Sequence, residues 1–147
     1  MDKDLIYLAQ TDTTVGFLSN DNVKLANIKN RSTTQKTLRV VDSFKTLNTH
    51  TRIPKNQRKL VRNSKNTTFI YPNGESFRVV PINSSHHKFI KKFGTLYSTS
   101  ANDTNKEFTL EFALNAATIQ LLNKNDFVQS YSSSILKIMK NKNIQIR

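Results

Sequence analysis

The sequence predicts a mixed α/β fold in which helices cover a twisted sheet, and three observations lead to this prediction. Short runs rich in β-branched and aromatic residues alternate along the chain with stretches of helical periodicity. Such alternation is typical of a sheet covered by helices. The chain of 147 residues, 36% of them apolar and without an internal repeat or a long linker, fits a single domain over 1–147.

Seven segments have the composition of strands. The first is a short apolar run, the next four are rich in β-branched and aromatic residues, and the last two are apolar runs near the C-terminus. In chain order, the predicted strands span 5–9, 37–41, 67–71, 76–80, 96–99, 135–139 and 144–146.

Four segments are predicted to be helices. Asn20 and Asp21 precede the first as candidate caps, Pro54 occupies the first turn of the second, and Gly94 follows the third as a residue that closes a helix. The fourth has an apolar stripe at helical spacing and is expected to pack on the sheet. In chain order, the predicted helices span 23–29, 54–62, 86–93 and 110–122.

The composition excludes several classes of site. The chain has no cysteine, which rules out disulfides, thiolate metal sites and a cysteine nucleophile. Asp2 and Asp4 at the start argue against a secretory signal, and no apolar run approaches the roughly 20 residues that cross a bilayer. We therefore expect a soluble cytoplasmic protein with no membrane partner.

The net charge of +13 has two interpretations. It would attract polyanions such as RNA or nucleotides, since 23 Lys and Arg face only 10 Asp and Glu. The same composition is also typical of proteins encoded by AT-rich genomes, since the cations are mostly lysine and the chain contains 17 Asn. In that case the charge would have no functional meaning. The charge alone does not decide between them.

Three polar segments follow predicted strands or helices, at positions where ligands often bind. Thr, Asp and Gly at 11–16 follow the first strand, the cations Lys29, Arg31 and Lys36 follow the first helix, and hydroxyl and amide side chains at 98–102 close a later strand. Clustered cations neutralise phosphates. Each segment also has a structural alternative, as a polar turn, a solvated helix end or a capped turn.

Other signatures of chemistry are absent from the sequence. His50, His86 and His87 lack the carboxylate or cysteine neighbours that would complete a metal site, and we expect none. There is no P-loop, no G-x-G-x-x-G and no G-x-S-x-G segment, so a nucleotide site would be of another type.

Taken in order, the polar segments resemble the motifs of the YrdC-like family, to which the threonylcarbamoyl-AMP synthases of tRNA modification belong. The resemblance runs from Leu5 to Arg147 and rests on five segments and the terminal arginine. The family's P-T-E-T-x-Y-G-L, K-x-R, V-R-x-P, S-x-S-A-N and P-S-T-[IV] segments are similar to residues 10–17, 29–31, 77–81, 98–102 and 132–135.

The resemblance implies the YrdC-like double-stranded-RNA-binding fold and a set of site residues. It implies that ATP is bound by Lys29, Arg31, Lys36, Thr68, Ser100, Asn102 and Arg147. It implies that L-threonine is bound by Thr13, Arg78 and Ser133, with Arg78 pairing with the threonine carboxylate. No protein nucleophile is implied, and Mg²⁺ is expected to be held mainly through the phosphates.

The implied activity is nucleotidyl transfer that makes threonylcarbamoyl-AMP from L-threonine, bicarbonate and ATP. The alternative is a non-catalytic module of the same fold that binds double-stranded RNA, tRNA or a nucleotide through its basic concave face. Further partners implied are tRNA and other tRNA-modification proteins. Asp12 stands where the family has Glu, and Val41 where many synthases carry a histidine.

Overall fold

One nine-stranded mixed sheet runs through the protein, whose computed structural model describes residues 1–122 and 124–147. In chain order, the strands are β1 (Tyr7–Gln10), β2 (Val15–Ser19), β3 (Arg39–Val41), β4 (Thr67–Ile70), β5 (Ser76–Val79), β6 (Thr95–Ser100), β7 (Ile119–Gln120), β8 (Ser134–Ile138) and β9 (Asn143–Gln145). They lie in the order β7-β1-β2-β6-β3-β5-β4-β8-β9. The pairs β1–β7, β3–β5 and β4–β8 are parallel and the others antiparallel, as a mixed sheet requires.

Five short α-helices and one 3-10 helix connect the strands. They are α1 (Asn22–Ile28), α2 (Phe44–His50), a 3-10 helix (Lys55–Gln57), α3 (Arg58–Asn63), α4 (Ser85–Ile90) and α5 (Leu110–Ala116). Asp21, Ser43, Ser84 and Thr109 each accept a hydrogen bond from a first-turn backbone N–H at the start of α1, α2, α4 and α5. Such caps satisfy donors that the helix itself leaves unpaired. None of the helices in the described residues is long and apolar enough to span a membrane.

Three parts of the fold differ from the sequence predictions. The helix predicted over 110–122 ends at Ala116, because Ile119–Gln120 pairs with β1 as the edge strand β7. The strand β2 and the helix α2 were not predicted. β2 follows directly on a polar turn, and α2 buries only Leu47, so neither has a strong periodic signal.

Helix α4 covers part of one face of the sheet. Phe89 and Ile90 of α4 pack in a core cluster with Leu18, Val40 and Leu96 from three strands. Side chains alternate along a strand, so the next inward position after Leu96 on β6 is Ser98, which points to the same face. This face therefore changes from apolar under α4 to polar farther along β6.

The opposite face is covered by the other helices. Alternate residues of β1 and β2 pack against α1 and α5, and alternate residues of β4 and β5 pack against α2 and α3. On β4 and β5 the buried aromatic residues Phe69 and Phe77 face α2 and α3. Their neighbours Thr68 and Arg78 consequently face the α4 side, where no helix covers them.

Candidate functional site

A polar cleft of about 550 Å³ opens on the uncovered part of the α4 face. All ten residues that the sequence singled out for ATP or threonine line it. They are Thr13, Lys29, Arg31, Lys36, Thr68, Arg78, Ser100, Asn102, Ser133 and Arg147. The fold thus brings together seven separate parts of the chain.

Lys29 lies at the end of α1 and bridges to the end of β6. Its Nζ donates to Ser100 O at 2.8 Å, to Ser100 Oγ at 3.3 Å and to Asn102 Oδ1 at 3.1 Å. The residue is only 4% exposed. Burial, together with the nearby charge of Arg31, lowers the pKa of Lys29 to about 8.

Arg31 enters the cleft because α1 ends in a left-handed turn. Asn30 has φ 52°, and the Arg31 N–H donates to Ala26 O at 3.1 Å, the pattern of a Schellman motif. The Arg31 guanidinium donates from Nη2 to Thr37 Oγ1 at 2.6 Å and from Nη1 to Thr99 Oγ1 at 3.5 Å. Burial lowers the pKa of Arg31 from its ordinary value.

A second cluster joins β4, β8 and the C-terminus. Thr68 Oγ1 and Ser133 Oγ lie 2.7 Å apart, next to the parallel pairing of β4 with β8. Arg147 donates from Nε to Ser133 O at 2.9 Å and from Nη2 to Ser133 Oγ at 3.4 Å. Its pKa is lowered by burial and by the charge of Arg78. The terminal arginine is therefore held against the cleft.

Arg78 forms a buried ion pair with Asp12. Its Nε donates to Asp12 Oδ2 and its Nη2 to Asp12 Oδ1, both at 3.1 Å. The two side chains are 4% and 3% exposed. Asp12 lies on the loop between β1 and β2. It thus occupies Nε and Nη2 of the guanidinium that the sequence analysis assigned to the threonine carboxylate. Nη1 of Arg78 makes no hydrogen bond to any described residue.

Thr13 and Lys36 lie at the edges of the cleft. The Thr13 backbone N–H donates to Thr11 Oγ1 at 3.2 Å, which fixes the β1–β2 turn. Lys36 is exposed and its Nζ donates to Gly74 O at 3.3 Å. Gly74 has φ +82°, a backbone conformation that favours glycine, and its carbonyl accepts the bond from Lys36.

Several lining residues were not singled out in advance. Thr37 accepts from Arg31, Thr99 lies beside it, and Thr104 Oγ1 donates to Lys29 O at 2.6 Å. Thr99 lies within the polar segment 98–102, so its place in the cleft could have been predicted from the sequence. Thr37 and Thr104 carry no local signal, because their contacts with Arg31 and Lys29 form only in the folded chain.

The charge of the cleft is strongly positive. Five cationic side chains line it, and the described residues that form its wall include no Asp or Glu. The nearest buried acid, Asp12, is neutralised by Arg78. Hydroxyl and amide groups fill the remaining surface. Such a cleft is suited to an anion with several phosphate groups.

Comparison with known proteins gives matches in structure and none in sequence. No family model and no curated protein matches the chain. P. abyssi Sua5 complexed with L-threonine superposes with a TM-score of 0.77 at 13% identity, over 97% of this chain and 50% of that one. E. coli YciO has a TM-score of 0.76 at 13% identity, over 99% of this chain and 83% of its own.

A third structure extends the comparison. MTH1692 from Methanobacterium thermoautotrophicum superposes with a TM-score of 0.69 at 19% identity, over 97% of this chain and 79% of its own. The chain spans about half the length of Sua5 and most of the length of YciO and MTH1692. The nine-stranded mixed sheet with its covering helices is the YrdC-like fold, and this chain has the fold of the Sua5/YrdC family.

Proposed function

We propose that the protein is a threonylcarbamoyl-AMP synthase, a nucleotidyltransferase acting on L-threonine, bicarbonate and ATP. The observation that carries the proposal is the meeting of all ten expected residues in one cationic cleft, whose described lining residues include no acid. The likeness to P. abyssi Sua5, solved in complex with L-threonine, supports the choice of amino acid.

The proposed reaction needs no nucleophile from the protein. The threonine amine attacks the carbon of bicarbonate, and loss of water leaves a carbamate. A carbamate oxygen then attacks the α-phosphorus of ATP, the bond to the β-phosphate oxygen breaks, and pyrophosphate leaves. Catalysis by positioning and by charge neutralisation suits a site whose wall offers cations and hydroxyls.

In this proposal the cations act on the triphosphate from two sides of the cleft. Lys29 and Arg31, at the end of α1, neutralise the departing pyrophosphate together with Ser100 and Asn102. Arg147 approaches from the opposite wall. Arg31 and Arg147 are already oriented by hydrogen bonds, so little reorganisation is needed when the ligand binds. Lys29 uses its three N–H donors on Ser100 and Asn102, so it contributes its positive charge to the site and not a direct hydrogen bond to phosphate.

The cleft fits a magnesium ion carried by the nucleotide better than one bound by the protein. Mg²⁺ prefers oxygen ligands and keeps waters and phosphate oxygens. The described lining residues supply hydroxyl and amide oxygens but no carboxylate. When bound, the ion would neutralise phosphate charge, while Ser100 and Asn102 would orient the phosphates around it.

The Asp12–Arg78 pair fixes the guanidinium that would receive threonine. Asp12 is 3% exposed, does not line the cleft, and accepts from Arg78 with both carboxylate oxygens, so it orients Arg78 and does not itself contact the ligand. In this proposal the threonine carboxylate accepts from Nη1 of Arg78, with Thr13 and Ser133 nearby.

Pyrophosphate release by the purified protein tests the proposal. With ATP, Mg²⁺, bicarbonate and L-threonine we expect release that stops when threonine or bicarbonate is omitted. Arg31→Ala should reduce the rate at least about 100-fold, as loss of a positioned charge does. Lys45→Ala, an exposed cation outside the cleft, should leave it unchanged. Equal rates for the wild type and Arg31→Ala would refute the assignment of the site.

A second candidate is a non-catalytic module that binds double-stranded RNA, tRNA or a nucleotide in the same cleft. It is favoured by the net charge of +13 and by the carboxylate of Asp12 on Arg78. This candidate predicts salt-sensitive RNA binding that survives Lys29→Ala, with no ATP-dependent product. Under either proposal the protein would work in the cytoplasm with tRNA or other tRNA-modification proteins.

A further inference from the structure

The arginines of this chain are concentrated in two places. Three of the seven, Arg31, Arg78 and Arg147, line the cleft. Three more line a second groove, and Arg39 lies between aromatic rings, 5.8 Å from the centroid of Phe77 and 5.0 Å from that of Tyr97. Lysines are spread over the whole chain instead, so a general bias toward basic residues does not account for the second arginine cluster.

The second groove has a volume of about 640 Å³ and lies between α2 and α3, on the face of the sheet opposite to the cleft. We call it the α2–α3 groove. Arg52, Arg58 and Arg62 line it together with Asn48, Thr49 and Thr51. His50 forms part of its wall and stacks on Phe77 at 5.6 Å between ring centroids. Arg58 and Arg62 are one helical turn apart on α3, so both present their guanidinium groups to the same side.

The groove arginines form no ion pair with a residue that the structure describes, although Glu75 lies close enough for its charge to act on His50 in the groove wall. Residues 43–74 contain seven Lys and Arg and no Asp or Glu. All seven side chains are exposed, and none forms an ion pair or a hydrogen bond with a residue that the structure describes. Like charges spaced by one helical turn destabilise a helix. A bound polyanion would remove this repulsion.

The chemistry of the groove favours nucleic acid over a membrane or an acidic protein. Insertion into a membrane needs exposed apolar side chains, and none of the large exposed hydrophobic residues of the described chain lies within 43–74. Purely electrostatic adsorption to anionic lipid would not favour arginine over lysine. An arginine fork binds a phosphate through two parallel hydrogen bonds, and Asn and Thr side chains commonly contact the backbone of nucleic acids. We propose that the α2–α3 groove binds the phosphate backbone of a nucleic acid, at a site separate from the cleft.

Matched charge-removal variants test this proposal. R52Q/R58Q/R62Q and K45Q/K55Q/K59Q each remove three exposed positive charges from the same segment, but only the first removes the groove arginines. We expect the arginine variant to bind a fluorescent RNA duplex at least about tenfold more weakly and the lysine variant at most about threefold. The slope of log K against log salt should fall by about 0.9 for each phosphate that the variant no longer neutralises.

Further arms identify the ligand and the site. Binding of polyglutamate or of phosphatidylserine vesicles as tight as that of RNA would overturn the proposal, as would equal reductions of RNA affinity in the two triple variants. Cooperative thermal melting at or above the temperature of the wild type shows that the variants are folded. Because the groove does not include the cleft residues, pyrophosphate release should be unchanged in the arginine variant. RNA binding abolished only in Arg31→Ala would place the RNA in the cleft and contradict the proposal.

Discussion

Lys29 is a buried cation whose charge depends on pH. Its pKa is lowered to about 8 by burial, so the ammonium is present below that pH and is lost as the pH rises through it. We expect ATP to bind several-fold more weakly at about pH 9 than at about pH 7, which isothermal titration calorimetry would measure. Lys29→Arg should remove this dependence, because arginine stays charged. A flat profile in the wild type would argue that the charge of Lys29 does not act on the bound phosphates.

His86 is a second residue whose environment sets a pH dependence. It is 3% exposed, neither ring nitrogen has a hydrogen-bond partner among the described residues, and burial lowers its pKa to about 4. The unfolded chain takes up the proton more readily, near pH 6.5, so stability present above that pH is lost as the pH falls toward 4. Urea unfolding should show a loss of up to about 3 kcal/mol, which His86→Leu largely abolishes. The same loss in His86→Leu would assign it to other groups.

At the scale of elements, the end of α1 positions both Lys29 and Arg31. Asn30 takes a left-handed conformation there, which Gly adopts freely and a β-branched residue does not. We expect Asn30→Val to cost about 1–2 kcal/mol of unfolding free energy and to weaken ATP binding, while Asn30→Gly keeps both near the wild type. Urea unfolding and calorimetry measure the two effects. If Asn30→Val bound ATP normally, the left-handed turn would not be what positions the Arg31 side chain in the cleft.

An element could be predicted from the sequence when the pattern that identifies it lies within its own residues. The predicted strands at 67–71 and 76–80 match β4 and β5 because each carries a buried aromatic face of its own. The helix predicted over 110–122 was too long, since Ile119 within it pairs with β1 as part of an edge strand. The hydrophobic periodicity of a short stretch of sequence gives no information about such a long-range strand pairing.

The same distinction holds for the cleft. Its residues could be gathered from the sequence because they resemble ordered family motifs, and the fold places all ten on one surface. The Asp12–Arg78 pair was not predicted, because it joins residues 66 positions apart through tertiary structure alone. Their proposed roles toward ATP and threonine are still to be measured.

At the scale of the molecule, the Asp12–Arg78 pair holds the β1–β2 loop to β5, although β6 and β3 lie between β2 and β5 in the sheet. Breaking a buried pair leaves an uncompensated charge, so Asp12→Ala should lower the free energy of unfolding by about 3–5 kcal/mol in urea titrations. Asp12→Ala/Arg78→Met should recover much of that stability. If Asp12→Ala were as stable as the wild type, the pair would not link the two halves of the sheet.

The central claim is that this cleft joins threonine, bicarbonate and ATP, and direct detection of the product tests it most closely. The purified protein is incubated with ATP, Mg²⁺, ¹³C-bicarbonate and L-threonine. The nucleotides are then separated, and their masses are measured by mass spectrometry. We predict threonylcarbamoyl-AMP that carries the ¹³C label and disappears in Arg31→Ala. A folded sample that binds ATP but forms no labelled adenylate would contradict the claim and favour the non-catalytic module.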